Sequence, residues 1–183
     1  MRKILNFFLI ILASILIAGI YGMNFQYMPE LTHLHDQITY TISYEYFTLF
    51  KFEQFGINDW GISDVRIKAG IIGFLATWWV GLYLGIVYAL ISLFLDSKKV
   101  LKISLKSIFL NIGVALLFGI VGFIYGVLFL KAESLNWYIP EQTKNVQDFV
   151  NVGSIHNFGY LGGLVGLFIG IYNQIKYSKK TIA

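Results

Sequence analysis

The chain of 183 residues is 57% hydrophobic, 17% aromatic and 13% charged, with mean hydropathy +0.68 and a net charge of +4. A soluble domain carries about 25% charged residues, so the composition excludes an ordinary water-facing surface and suits one that mostly faces lipid. The absence of cysteine excludes disulfide frameworks, thiolate metal sites, thioether-linked haem and cysteine nucleophiles.

Four apolar stretches approach or exceed the roughly 20 residues needed to cross a bilayer core: about 4–23, 69–95, 107–130 and 157–175. None contains Asp, Glu, Lys, Arg or Pro. Hydrocarbon offers the backbone no partners, so runs of this length must satisfy their own hydrogen bonds as helices. The expected fold class is an all-α integral membrane protein, a single membrane domain of four transmembrane helices. The first stretch is read as an uncleaved signal-anchor, because no small-x-small cleavage site follows Ala18-Gly19.

The first long loop, 24–68, should form a cap. Within it "LTHLHDQITY" (31–40) holds His33 and His35, two apart, with Asp36 after the second. Ile38, Tyr40, Ile42 and Tyr44 alternate with Thr39, Thr41 and Ser43, a period of two that predicts a short strand. "YEYFTLFKFEQFG" (44–56) then spaces Phe47, Phe50, Phe52 and Phe55 among Lys51 and Glu53, as an amphipathic helix lying on the bilayer surface would. Ser63 is the expected N-cap of the second membrane helix. The remaining loops are the short connection 96–106 and the second long loop, 131–156.

Charge assigns the sides. Arg2, Lys3, Lys98, Lys99, Lys102, Lys106, Lys176, Lys179 and Lys180 lie at the termini and the short connection, with Asp96 the lone acid there. The two long loops hold nine of the ten acidic residues. Lys and Arg stay cytoplasmic during insertion, so both termini and 96–106 should be inside and 24–68 and 131–156 outside, in a bacterial inner membrane. Topology and anionic headgroups thus account for the basic residues, and nucleic acid is not expected as a partner.

Three sequence blocks recur in order and in the same orientation: "GIYG" (19–22) with "FIYG" (123–126), "YMPE" (27–30) with "YIPE" (138–141), and "VGLYLGI" (80–86) with "VGLFIGI" (165–171). They suggest two repeated helical hairpins, as in transporters built from parallel repeats. Gly81 and Gly85, Gly122 and Gly126, and Gly162, Gly166 and Gly170 recur every four residues, the spacing that lets helix backbones approach closely in lipid. Tyr27, Tyr40, Tyr44, Tyr46, Trp60, Trp137 and Tyr138 fit an aromatic belt at the headgroups.

Candidate chemistry gathers on the outer side. In extended chain His33 and His35 would point the same way, and His156 sits near the outer end of the last helix. With Asp36 or Glu45 they make a candidate site for zinc, copper or iron. No carboxylate, lysine or arginine lies within a helix core to serve as a relay, and no hydrolase or nucleotide-binding motif is present. The leading functional expectation is a membrane-embedded binding or accessory subunit whose outer cap meets a partner or lipid. The alternatives are a metal-dependent enzyme or metal-handling protein, and a small channel or transporter formed by homo-oligomerisation.

Overall fold

The computed structural model describes residues 2–23, 35–95 and 98–179. Four helices are long and apolar enough to cross a membrane: α1 (Arg2–Gly22), α4 (Val65–Leu93), α5 (Val100–Phe129) and α6 (Val146–Lys179). This is a multi-pass helical membrane protein. Large apolar side chains such as Phe8, Leu117, Leu128 and Phe168 are exposed on the outside of the bundle. In water that surface would be prohibitive; in lipid it is the ordinary exterior.

Small residues choose the partners. α1 packs mainly on α4, and α5 mainly on α6. In the first pair a Cβ on Gly81 would strike the Ser14 carbonyl, and one on Gly22 the Gly73 carbonyl. In the second, Gly122 faces Ser154 and Phe158, Gly162 faces Ala115 and Phe118, and Gly166 faces Asn111. Hydroxyls bridge the seams: Thr77 Oγ1 donates to Ala18 O (2.8 Å) and Ser154 Oγ to Gly122 O (2.7 Å). Without a hydrophobic drive between helices in lipid, such close backbone approach and such bonds supply the attraction.

The two pairs meet near the basic end of the molecule. Ile10 of α1, Tyr88 and Ala89 of α4 and Ile108 of α5 form a buried cluster there. Polar groups cross the same junction: Asn111 Nδ2 donates to Tyr88 Oη (3.3 Å), and Gln174 Nε2 to Tyr88 O (3.0 Å) and Ser104 Oγ (2.7 Å). Arg2 reaches Lys98 O and Lys3 reaches Leu93 O. Arg2 and Lys3 of α1, Lys98 and Lys99 at the start of α5 and Lys176 of α6 therefore share the end of the bundle at which α4 stops at Leu93.

At the other end, residues 35–60 fold over α4 and α6. The expected strand over 38–44 is absent: His35–Ile42 is a helix, α2, packed on α4 and α6. Alternation of Ile and Tyr with Thr is a preference for a half-buried surface rather than an intrinsic backbone demand, and here tertiary packing overrides it. Tyr46–Lys51 is a π-helical turn continuing into the short helix α3 (Phe52–Gln54). Its widened turn lets the adjacent rings of Tyr46 and Phe47 both reach the interior. Rather than lying on the bilayer surface, Phe47 and Phe52 are buried with Ile57, Ala69, Ile72, Phe149 and Val152. Tyr46, also assigned to a belt, is buried in the same cluster, whereas Tyr44, Trp60 and Tyr138 stay exposed. The guanidinium of Arg66 lies 5.0 Å from the Tyr40 ring centre, a further tie between α2 and α4.

Helix ends differ from the apolar runs. Asp64, not Ser63, caps α4, its carboxylate accepting from the Arg66 N–H (2.8 Å) and the Ile67 N–H (3.2 Å). α6 begins at Val146, eleven residues before its apolar run, because Asn145 accepts from the Asp148 N–H and starts the helix early.

Candidate functional site

The two helix pairs part toward the end covered by residues 35–60, and a cavity of about 430 Å³ opens between them. All four membrane-length helices line it: Ala18 and Tyr21 of α1, Thr77, Trp79 and Tyr83 of α4, Asn111 and Ala115 of α5, and His156, Tyr160 and Gly163 of α6, among others. Its volume falls within the roughly 300–1,000 Å³ of small-molecule sites. Among the described residues the wall contains no Asp, Glu, Lys or Arg.

Its polar groups are few, and several are turned into the protein. Thr77 Oγ1 donates to Ala18 O and Gly73 O, both at 2.8 Å. Asn111 Nδ2 donates to Gly163 O (3.1 Å) as well as Tyr88 Oη (3.3 Å). Inside low-dielectric surroundings a spare donor is costly, and these residues satisfy theirs across helix seams. An apolar occupant therefore meets no unmet hydrogen-bond demand from either donor. One side is open: Tyr83 is 64% exposed and Leu164 53%, with Trp79 and Tyr160 also exposed beside them. The Trp79 and Tyr160 rings, 6.4 Å between centres, bridge α4 and α6 along this opening.

His156 stands at the covered end. Because α6 starts early, it lies about three turns inside the helix rather than at its mouth. Its imidazole is stacked on Tyr46 at 5.3 Å with an 11° tilt, and meets Phe47 edge-on at 6.4 Å. Residues 35–60 thus touch the cavity through one of its lining side chains.

Glu45 is buried one residue before Tyr46, and both its oxygens face the start of α6. They accept from the Asn145 N–H (2.9 Å) and the Lys144 N–H (3.1 Å). The Asn145 bond holds the carboxyl below the usual glutamate range, against the opposing desolvation of burial, with the Lys144 N–H and its ammonium charge adding to the depression. An anion at a helix N-terminus also meets the positive end of the helix dipole.

A depressed pKa makes this contact a source of stability that is complete above the unfolded glutamate value and lost as pH falls through the lowered folded value. Protease resistance of residues 35–60 should therefore fall in acid, below the ordinary glutamate range. Glu45→Gln should weaken docking by about 1–3 kcal/mol at neutral pH and flatten that acid dependence. Equal amide-exchange protection of Lys144 and Asn145 in the variant and the wild type would count against it.

Of the candidate metal ligands, His33 lies outside the described residues, as do the side chains of His35 and Asp36 at the start of α2. The YMPE block of the suspected repeat (27–30) lies outside them too. Among the described residues no three His, Asp or Glu side chains come together in a metal-holding group. Glu45 and His156 do share a neighbourhood, through Tyr46, one as the acceptor for the start of α6 and the other as a ring in the cavity wall. The cavity itself had no sequence signal beyond the glycines, because it is a space left between helix pairs rather than a motif.

Comparison with protein-family models, with curated proteins and with solved structures finds no match.

Proposed function

We propose that this chain is a membrane-embedded binding protein that holds an uncharged, apolar ligand between its two helix pairs. The cavity carries the proposal: about 430 Å³, no charged residue in its wall among the described residues, and an open side among exposed aromatic and aliphatic residues of α4 and α6. A ligand of this character reaches the site from the bilayer, where it is concentrated, rather than from water.

In this proposal the lysine-rich end faces the cytoplasm of a bacterial inner membrane, and residues 35–60 form the outer cap over the ligand. The cap's exposed Tyr44 and Trp60, with the exposed Tyr138 of the second long loop, are available to a membrane-protein partner, which is the accessory role expected from the sequence. The two pairs would be copies of one ancestral hairpin, their shared blocks having drifted in depth. Gly22 faces Gly73, seven residues before Val80, whereas its counterpart Gly126 faces Asn151, fourteen residues before Val165.

Gly163 gives a clean test. It lines the cavity, and a Cβ there would meet nothing within 4 Å, so the side chain of Gly163→Leu starts into open space and takes up room in the cavity. Gly113 is equally unobstructed and is no part of the wall, so Gly113→Leu is the control. Wild type and Gly113→Leu purified in mild detergent should each release close to one equivalent of an apolar molecule into organic solvent. Gly163→Leu should release less than a tenth of that. A wild-type extract no richer than that of Gly163→Leu ends the proposal.

A further inference from the structure

We infer that the cavity takes one hydrocarbon chain of a diacyl phospholipid from the leaflet on the side of residues 35–60, leaving the second chain in the bilayer. The inference rests on the binding role above and names its ligand.

Length comes first. The wall on α6 runs from His156 to Leu167, twelve residues, or about 16 Å along a helix axis. Half of a bilayer's ~30 Å hydrocarbon core is about 15 Å. The cavity is as deep as one leaflet. Its floor, where Asn111 and Leu167 line it, lies next to the junction of Tyr88 with Asn111 that closes the pairs together.

Volume comes next. A space of about 430 Å³ stands in the lower half of the roughly 300–1,000 Å³ range of small-molecule sites, a size that suits one acyl chain lying along this wall. The open side between Trp79 and Tyr83 on α4 and Tyr160 and Leu164 on α6 lets a two-chain lipid straddle the gap. An enclosed cavity would have favoured a single-chain ligand instead.

Charge agrees. Among the described residues no ionic side chain lines the depth of the cavity, while Tyr21 and His156 stand at its covered end. Rings with a polar tip sit favourably where hydrocarbon gives way to headgroups. The lipid's polar end belongs there, next to the Tyr46–His156 stack, and its chain end toward Leu167. Thr77 and Asn111 along the way turn their donors into the protein, as a chain-facing wall requires.

The test uses the full chain in nanodiscs of one synthetic phosphatidylcholine with a minor fraction of its single-chain lysolipid. After transfer to mild detergent, native mass spectrometry should show a one-to-one adduct at the diacyl mass for wild type and Gly113→Leu. Occupancy should be at least tenfold lower for Gly163→Leu. An adduct only at the lysolipid mass overturns the inference, as does equal diacyl occupancy in Gly163→Leu, which would mark lipid bound on the outside of the bundle. If wild type shows neither adduct yet still yields a cavity-dependent molecule on extraction from cells, the phospholipid assignment fails and the binding role stands. If both measurements are blank, the binding role fails with it.

Discussion

Gly22→Ala should separate α1 from α4. A methyl group at this position would run into the carbonyl oxygen of Gly73 and the hydroxyl of Thr77. The first obstacle is backbone, which cannot rotate away as a side chain can, so one helix must shift. Overpacking of this kind costs about 1–3 kcal/mol, and here it also pulls Thr77 from its bond to Ala18 O, which adds on the order of 1 kcal/mol. Thermal unfolding in detergent should register the loss directly. Gly113→Ala, where nothing stands within 4 Å, should leave the midpoint unchanged or raise it slightly through better helix propensity. Matching midpoints for the two variants would mean that α1 does not rest on α4 at this point.

Phe47→Ala should undock residues 35–60. The ring has no exposed surface and touches Tyr40, Tyr46 and the His156 imidazole, joining α2, the π-helical turn and α6. Truncating a fully buried phenyl ring costs about 3–5 kcal/mol in lost transfer energy and cavity formation. Because 1.4 kcal/mol is a factor of ten in an equilibrium, the undocked population should rise at least a hundredfold. Trypsin cleavage after Lys51 reads that population. Phe50→Ala, at a half-buried ring on the same turn, should raise it by a smaller factor. If both variants are cut at the wild-type rate, the segment is not held by this cluster.

The number of membrane helices was plain in the sequence because twenty uncharged apolar residues in a row leave the backbone no other solution in lipid. Their true lengths were not. α5 begins at Val100 among lysines and α6 at Val146 among Gln147, Asp148 and Asn151, residues that an apolar run cannot include. The start of α6 was nevertheless written in Asn145 and Asp148, a helix-opening spacing that a search for hydrophobicity passes over. At residues 38–44 the alternation was real and the inference from it failed, because Thr39 and Ser43, four residues apart, turn inward while Ile38 and Tyr44 of the apolar set are exposed.

The site was only partly legible. His156 stood out as a rare residue near a membrane face, and the structure does place it in a cavity wall. Its stacking partner Tyr46 was assigned to a surface belt, and Tyr88, Gln174 and Ser104, which knit the helix pairs together, drew no notice. A single tyrosine or glutamine in an apolar run has no distinguishing pattern. Its role appears only when the facing helix supplies the acceptor. Glycine spacing pointed to close packing without saying which helix was the partner, and the cavity depends on that choice.

The bond from Glu45 to the amides of Lys144 and Asn145 spans a hundred positions of chain and has a consequence for biogenesis. While the ribosome is still making the first three membrane helices, the residues that will receive this carboxylate, and the Phe149 and Val152 that will cover the Phe47 ring, do not yet exist. The nascent segment 35–60 must wait with greasy rings uncovered, a natural target for proteases and chaperones. Truncation anywhere before the final helix would leave it in that condition for good, so premature stop codons late in the gene should yield molecules that are degraded rather than ones that are merely shortened.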